Sequence, residues 1–378
     1  MLDAVVAGHL CLDIIPHSEG EVRLEPGSMT SVGGTTFATG GGVANVGLSL
    51  LKLGVDTRLI GQVGRDGFGE QVKSVLRSHD PRAADGITTS DTCATSYTVV
   101  INPPGVDRCF LHHPGCNDSL SAASLNLDGL EPRLFYFGYP PLMRGIYEDG
   151  GAGLAALFSD LREKGVTTAL DMSLPDAGGP TGTIDWHLFL QRVLPHTDVF
   201  FPSLPEMLFM LERESFENGE WQDVPVPAPF FYDLAEQLLD MGAGIVGLKL
   251  GEDGLYLRTA DEDRSGQVGR AFSQPSAWAK QEYWSPVFEV EVGGTVGAGD
   301  ASLAGFLAGV LRGLSPDEAL TLACAVGACS VEAADAVSGV QSWETTQSRV
   351  DGGWARAFSG TLLGWQRMSS GVYRKEER

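Results

Sequence analysis

The chain has 378 residues, a formal net charge of −23 and 49 glycines, and 43% of its residues are hydrophobic. This length fits one large α/β domain or two smaller ones, and the composition excludes a disordered or fibrous chain. The strong negative charge argues against nucleic acid or an anionic membrane as the main partner. Any phosphate site must therefore be locally positive or assisted by a metal ion.

The cysteines and the apolar runs indicate the compartment. Six cysteines are scattered without a CxxC pair, which in a chain of this length is typical of reduced cytosolic thiols. The first residues lack the basic and long apolar regions of an export signal, and no run of 18 apolar residues occurs. We therefore expect a cytoplasmic protein without a membrane span.

The predicted elements begin with an apolar strand, Ala4–Gly8, of the kind that is buried in a parallel sheet. An irregular stretch with short β-like pieces follows over 13–39. Three consecutive glycines then precede a predicted helix over 43–53, and a second strand is predicted at 57–63. A second β-rich segment covers 92–113 and contains an Asn-Pro-Pro-Gly turn.

Further along the chain, apolar strand-like runs alternate with helical ones, at 134–137, 167–170, 199–201 and 245–248. Such alternation indicates βαβ units, and hence a mostly parallel central sheet with helices on both faces in three α/β/α layers. The β-rich segments 13–39 and 92–113 interrupt this alternation. They predict a small separate sheet that covers the main domain.

The remaining segments are interpreted as peripheral. Residues 212–229, acidic and rich in proline, and residues 260–285, polar with scattered tryptophans, are predicted to be surface insertions. The polar tail from Ser369 is predicted to be frayed. We thus expect one domain over 1–345 and a C-terminal extension over 346–378.

The most informative pattern is the run Gly294–Asp300, with the sequence GTVGAGD, which places a carboxylate directly after a glycine-rich turn. Residues 287–292 before it alternate like a half-buried strand, and those after it have helical spacing up to a stop at Gly313. Asp300 is therefore predicted in the first turn of a helix, beside free N–H groups that bind anions. This indicates a base working on a group that attacks a phosphate; the alternative is that Asp300 is only a helix cap.

Three motifs occur in order: GGGVAN over 40–45, IGQVGRDGFG over 60–69 and GAGD over 297–300. With them the chain resembles the ribokinase-like (PfkB) carbohydrate and nucleoside kinases over about residues 4–340. The resemblance implies a three-layer ribokinase-like fold with a small β-sheet lid made by the two β-rich segments. It also implies transfer of the γ-phosphoryl group of Mg²⁺-ATP to a hydroxyl of a sugar or sugar-like substrate.

The resemblance assigns the reaction centre to the GAGD motif. It implies that Asp300 is the catalytic base and that the backbone of Gly297, Ala298 and Gly299 forms an anion hole for the transferred group. The residues agree, because a carboxylate is ionised at neutral pH and can orient a hydroxyl for in-line attack.

The implied substrate contacts come from the first part of the chain. Asp13 resembles the family's sugar-binding acid, since one carboxylate accepts two hydroxyl hydrogen bonds. Asn45 would bind a hydroxyl, and Gly40 and Gly41 would let the substrate approach the backbone. A solvated Asp13 and a local cap at Asn45 are the alternatives. Arg108 is a further candidate, with a solvated arginine as its alternative.

The family's NxxE element is represented by Pro202–Glu206, with serine where asparagine is usual. Glu206 still suits Mg²⁺ held through water, because this ion keeps most of its hydration. The segment KLGEDG over 249–254 resembles the nucleotide-binding loop. The implied nucleotide contacts are Ser203, Lys249, Gly251, Gly254 and Thr295.

A second departure from the family lies at Gly294, where relatives usually have an aspartate that helps to bind a monovalent cation. We therefore expect activity that is largely insensitive to potassium, unless Asp335 in a later loop supplies the missing charge. A plain turn role is the alternative for Asp335.

Other function classes fit less well. The segment 151–156 matches the dinucleotide fingerprint GxGxxA loosely but follows no apolar strand, and no GxxxxGK[ST] motif occurs. A non-catalytic sugar or nucleotide sensor, which the departures at Ser203 and Gly294 motivate, and a nucleoside kinase both stay open. His112 and His113 are interpreted as lid surface and not as metal ligands. Because a small sheet with an apolar face needs a partner, we expect a homodimer through the lid.

Overall fold

The computed structural model describes residues 2–376 except 19, 21, 23–24, 102–108 and 224–225. Arg108 and the predicted turn at 102–105 lie outside the described residues. In chain order the strands are β1 (Leu2–Gly8), β2 (Cys11–Pro16), β3 (Thr35–Gly40), β4 (Thr57–Gly64), β5 (Ile87–Ser90), β6 (Tyr97–Ile101), β7 (Cys109–His113), β8 (Pro132–Gly138), β9 (Thr167–Asp171), β10 (Val199–Phe200), β11 (Ile245–Lys249), β12 (Leu255–Thr259), β13 (Glu282–Ser285), β14 (Trp365–Arg367) and β15 (Tyr373–Lys375).

The α-helices lie between these strands or follow them. In chain order they are α1 (Gly42–Lys52), α2 (Gly67–His79), α3 (Arg144–Tyr147), α4 (Ala152–Glu163), α5 (Trp186–Val193), α6 (Leu204–Leu211), α7 (Arg213–Asn218), α8 (Pro229–Asp240), α9 (Glu262–Ser265), α10 (Ala298–Leu311), α11 (Pro316–Val331) and α12 (Trp343–Asp351). The strands and helices predicted at 4–8, 43–53, 57–63 and after 134 are confirmed to within a few residues.

In the described part of the chain the main sheet has eleven strands, in the order β14-β15-β13-β12-β11-β10-β9-β8-β1-β4-β5. The run from β11 to β5 is parallel, and the strands beyond β11 are antiparallel. Side chains of β1 alternate between two hydrophobic clusters: Val6 belongs to one and Val5 to the other. Both faces of the sheet are therefore covered, which confirms the three-layer architecture.

The two β-rich segments form a second sheet in the order β3-β2-β6-β7. Strand β2 pairs with β3 antiparallel and with β6 parallel, and β7 closes the sheet as an antiparallel hairpin partner of β6. Phe37, Phe110 and Leu111 are exposed on this sheet, the last two at 53% each. The predicted separate sheet is confirmed, and it carries apolar side chains in contact with water.

Residues 287–292 are not a strand, in contrast to the sequence prediction. Only Phe288 forms an isolated bridge, with Arg356, and the peptide N–H of Glu289 bonds to the carbonyl of Ala355. The ring of Phe288 stacks on Trp354 at 4.5 Å. The segment does alternate apolar and acidic residues, but it packs on the loop that contains Trp354 and Arg356 and does not join the sheet as a strand.

Two segments predicted to be peripheral are part of the core. Residues 260–285 bury Phe272 and Trp278 in the main cluster and end in strand β13. In the tail, Tyr373 is 1% exposed and pairs with Trp284 in the main sheet. Both predictions were wrong because polar composition conceals a few apolar residues at the buried positions. The extension predicted over 346–378 thus contributes β14 and β15 to the domain's own sheet.

Candidate active site

Polar residues collect where the parallel strands end. They are His9 after β1, Tyr139 after β8, Asp171 at the end of β9, Ser203 after β10 and Lys249 at the end of β11. The carboxyl ends of parallel strands meet at one edge of the sheet, where open α/β sheets bind their ligands. Helix α10 begins at the same edge, so this edge is the candidate active site.

The glycine-rich turn adopts the predicted strand-to-helix geometry at its helical end. Gly297 has φ +72° and forms the N-cap of α10, and a Cβ atom there would lie 2.3 Å from the Cβ of Ala336. Both the left-handed backbone and the lack of space therefore demand glycine. The first N–H groups of α10 have no partner inside the helix and lie at its positive end; that of Ala298 makes a long bond of 3.4 Å to the carbonyl of Thr295. This corner suits an anion.

Asp300 lies in the first turn of α10 and is 4% exposed. Its carboxylate accepts a hydrogen bond from Asn45 Nδ2 at 2.9 Å and from the Tyr139 hydroxyl, which lies 2.8 and 2.7 Å from the two oxygens. The helix has Gly297 as its N-cap and no side-chain capping bond. The interpretation of Asp300 as only a helix cap was therefore wrong.

A buried ion pair lies beside this carboxylate. Lys249 Nζ is 2.7 and 2.8 Å from the two oxygens of Asp171, whose side chain is fully buried. A Cβ on Gly299 would be 3.6 Å from that ammonium, so Lys249 lies next to the start of α10. Burial by itself lowers the pKa of Lys249, but the carboxylates of Asp171, Glu206 and Asp300 outweigh it and hold the pKa above its ordinary value. Lys249 thus places one positively charged group at the start of α10, in a buried ion pair with Asp171 and with two further carboxylates nearby.

Ser203 and Glu206 form a capping box at the start of α6. The Ser203 N–H donates to Glu206 Oε2 at 2.7 Å, and the Ser203 hydroxyl accepts from the Glu206 N–H at 3.4 Å. One oxygen of the predicted metal-binding carboxylate is therefore engaged in helix capping. Glu206 is nevertheless close enough to Lys249 to affect its pKa.

The predicted nucleotide loop contains two glycines with positive φ. A Cβ on Gly254, at φ +88°, would lie 2.0 Å from the carbonyl oxygen of Ser285, so the fold itself requires glycine there. A Cβ on Gly251, at φ +63°, would meet nothing within 4 Å. Thr295 is exposed just before α10. These residues border the site, and their contact with a nucleotide stays a prediction.

At the lid, Asp13 on β2 lies against Gly40, where a Cβ would be 2.4 Å from a carboxylate oxygen. Burial raises the pKa of Asp13 to about 6, although the Cys11 thiol and Thr98 hydroxyl hydrogen bonds oppose this. Gly41, with φ +90°, leaves room for the His9 ring. The early glycines thus bring the predicted substrate-binding acid close to helix α1, which carries Asn45.

The structure also bears on the departure at Gly294. A Cβ there would lie 2.9 Å from the carbonyl oxygen of Ala333, so a larger side chain does not fit without movement. Asp335 Oδ1 accepts from the N–H groups of Val337 and Ser338 at 2.9 and 2.7 Å. Its carboxylate stabilises its own turn, which favours the turn interpretation.

Three residues of the site were missed by sequence reasoning: His9, Tyr139 and Asp171. Each lies at or directly after the end of a parallel strand, which is the signal that would have found them. Among the described residues, no group of three or more His, Cys, Asp or Glu is arranged to hold a metal ion. Over the same residues, no helix is long and apolar enough to cross a membrane.

A family model described as pfkB family carbohydrate kinase matches residues 1–343. The chain therefore belongs to the PfkB family of carbohydrate kinases, as the three motifs implied.

The chain is similar to several curated relatives. It is 25% identical over 289 residues to an uncharacterised sugar kinase of Archaeoglobus fulgidus, covering 75% of this chain and 95% of that one. It is 23% identical over 323 residues to the 2-dehydro-3-deoxygluconokinase of Bacillus subtilis, covering 83% and 87%. It is 26% identical over 338 residues to the ATP-dependent ribose-1-phosphate kinase of Halopiger xanaduensis, covering 87% and 91%.

Solved structures show the same fold. The ribokinase of Thermotoga maritima superposes with a TM-score of 0.67 at 18% identity and covers 93% of this chain and 100% of its own. The ribokinase of Arabidopsis thaliana, complexed with ribose and ATP, gives 0.68 at 18% identity, covering 92% and 98%. The ribokinase-like fold is thereby confirmed.

Proposed function

We propose that this protein transfers the γ-phosphoryl group of ATP to a hydroxyl of a sugar or sugar-like substrate, with Asp300 as the base. The observation that carries the proposal is the position of the Asp300 carboxylate, held by Tyr139 and Asn45 at the start of α10. A carboxylate so placed lies in the first turn of α10, beside the N–H groups that would bind an anion, and Asn45 connects it to helix α1, which follows the lid strand β3. That is where an attacking hydroxyl and a phosphoryl group would meet.

In this reaction Asp300 accepts the proton of the substrate hydroxyl. The hydroxyl oxygen then forms a bond to the γ-phosphorus, while the bond from that phosphorus to the β–γ bridging oxygen breaks and ADP leaves with the electron pair. Tyr139 and Asn45 each donate to the carboxylate, so they fix its orientation before the substrate arrives. This pre-organisation is what a positioned general base requires.

The charge of the transferred group would be stabilised from two sides. Backbone N–H groups of Ala298 and Gly299 lie at the start of α10, and the ammonium of Lys249 lies beside Gly299. Asp171 holds that ammonium in place at 2.7 Å. We infer that Lys249 contacts the phosphates and that Asp171 positions it.

Magnesium fits the donors of the site, because Glu206 offers a hard carboxylate oxygen and Mg²⁺ is commonly held by one or two carboxylates together with water and substrate phosphates. The second oxygen of Glu206 is free of its capping bond with Ser203. When bound, the ion would neutralise phosphate charge.

We also propose a homodimer in the cytoplasm that forms through the lid. Phe37 and Leu111 are exposed on one face of the described lid strands, as the pairing of Phe37 with Ile14, Ile14 with Val99 and Val99 with Leu111 requires; Phe110 lies on the other face. A four-stranded sheet with such side chains in water is stabilised by burying them against a second copy.

The test is an ATP-consumption screen with purified protein across a panel of sugars, sugar acids, sugar phosphates and nucleosides. Substrate-dependent formation of ADP, with the phosphate recovered as a phosphomonoester on the sugar, is the expected result. Ligand binding without turnover of any member would instead favour the sensor alternative. A marked preference for nucleosides would favour a nucleoside kinase.

A further inference from the structure

His9 is a buried polar side chain without a partner. It follows β1 directly and is 1% exposed, yet neither Nδ1 nor Nε2 has a hydrogen-bond partner among the described residues. Buried polar atoms in native proteins are nearly always hydrogen-bonded, and an unpaired one costs stability. A bound ligand would supply the missing partners.

The surroundings of His9 place it between the candidate base and the lid. Its ring is stacked near that of Tyr139 with centroids 6.1 Å apart, and Tyr139 is the residue that bonds to Asp300. On the other side lies the ring of His112, at 5.1 Å. A Cβ on Gly41 would be 2.5 Å from His9 Nδ1, so the glycine is needed to admit the imidazole.

From His112 a series of polar contacts continues across the lid. His112 Nδ1 lies 3.0 Å from the Thr98 hydroxyl, which lies 3.6 Å from the Cys11 thiol. That thiol donates to Asp13 at 3.4 Å. In the described ranges, no lysine or arginine is a hydrogen-bond or ion-pair partner of these residues or of His9. The described part of this wall therefore consists of neutral hydrogen-bonding groups with one carboxylate.

The chemistry of this wall selects against anions. Burial lowers the pKa of His9 well below its ordinary value, and the neighbouring His112 lowers it further, so the imidazole is neutral at pH 7. A neutral imidazole offers one donor and one acceptor, which match a hydroxyl, whereas a bound carboxylate or phosphate needs donors or positive charge. The carboxylate of Asp13 would in addition repel an anion.

We propose that His9 is a substrate-binding residue that, with His112, hydrogen-bonds hydroxyls of an uncharged sugar or polyol. The inference rests on the proposed kinase function. It narrows the proposed substrates to molecules that carry no carboxylate or phosphate group where they contact this wall. Asp13 and Asn45 would bind further hydroxyls, and the unpartnered Asn45 Oδ1 is one more acceptor in the site.

The first experiment compares matched substrates at pH 7.5 with saturating ATP: ribose against ribose 1-phosphate, and fructose against 2-keto-3-deoxygluconate. The uncharged member of at least one pair should have a kcat/KM at least tenfold higher than its charged counterpart. An uncharged member that reaches a tenfold preference in neither pair would overturn the inference. Arg108, a candidate substrate contact outside the described residues, is tested with Arg108→Ala. A charged member preferred tenfold in the wild type but not in Arg108→Ala would show that the arginine sets the charge preference, and it would overturn the inference.

The second experiment uses the best uncharged substrate with His9→Ala and His9→Gln. We expect KM to rise about tenfold in His9→Ala with kcat changed less than threefold, and His9→Gln to recover part of the loss because its amide also donates and accepts. His112→Ala should raise KM as well. His113→Ala is the matched control: both histidines are exposed, but His113 lies on the other face of the strand with its ring against Tyr97, not against His9. A KM within twofold of the wild type in both His9→Ala and His112→Ala would refute the assignment.

Binding is measured in parallel as the rise in melting temperature caused by the sugar alone. The wild type should show this rise, and His9→Gln and His112→Ala should reduce it while keeping a cooperative transition without sugar. If no panel member consumes ATP but the sugar-induced rise depends on His9, the proposed phosphotransfer fails and the binding assignment stands. If a sugar is phosphorylated but neither its KM nor the sugar-induced rise in melting temperature changes in the His9 variants, the proposed phosphotransfer stands and the assignment of His9 fails.

Discussion

Replacement of Asp300 by asparagine tests the proposed base with little change in shape. In the wild type the carboxylate accepts one bond from Asn45 and a shared bond from Tyr139. In Asp300→Asn the new Oδ1 still accepts from Tyr139, but its NH₂ group would face the NH₂ group of Asn45. Since Asn45 Oδ1 has no partner at present, a flip of the Asn45 amide pairs it with the new NH₂ group. We therefore expect a change in unfolding free energy of at most about 1 kcal/mol.

The catalytic effect should be much larger than the structural one. Loss of a general base typically costs a factor of roughly 10² to 10⁴, or about 2.7 kcal/mol of transition-state stabilisation at the lower limit. The assay is kcat by coupled ADP release, together with the dissociation constants of ATP and sugar and the melting temperature. Turnover within a few-fold of the wild type, with unchanged stability, would refute Asp300 as the base.

Four further predictions follow from the site and the lid. Lys249→Met should lower kcat/KM for ATP roughly a hundredfold. It should also lower the melting temperature, because Asp171 loses its buried partner; in the double variant Lys249→Met, Asp171→Asn, the melting temperature should be restored but not the activity. KM for the sugar should fall as pH rises through about 6, because the ionised carboxylate of Asp13 accepts hydroxyl hydrogen bonds more strongly than the protonated acid does. A pH-independent KM in Asp13→Asn is the matching control. Initial rates at fixed ionic strength should differ less than twofold between sodium, potassium and a bulky organic cation, and strong potassium activation that is lost in Asp335→Asn would contradict this. Sedimentation at micromolar concentration should give a dimer, and a mass near the 40.2 kDa of one chain would contradict the lid interface.

The parts of the fold that the sequence predicts well are those with strong periodicity. Strand β1 is apolar and buried from Ala4 to Gly8, and α10 is followed by the predicted stop at Gly313, with φ +76°. The position of Asp300 followed from the glycine-rich turn and from the helical spacing after it. Its partners did not, since Asn45 and Tyr139 are 255 and 161 residues away in the chain and only the tertiary fold brings them together.

The errors have a common physical cause. Trp278 and Tyr373 sit in polar segments, yet a single large side chain suffices to anchor such a segment in the core. Over 287–292 the alternating pattern predicts only that one face is buried, and a loop covers that face as well as a sheet does. Asp171 was missed because burial of a carboxylate depends on its partner Lys249, which no local pattern reveals.

The pairing of β13 with β15 has a consequence for synthesis of the protein on the ribosome. Trp284 on β13 packs against Tyr373 at 5.3 Å between ring centroids, so this sheet edge stays open until residues 373–375 emerge. At roughly 5–20 residues per second, translation of the intervening segment takes roughly 4–18 s. During that interval the nascent chain presents an apolar strand edge, which is a site for chaperone capture or for pairing with a neighbouring nascent chain.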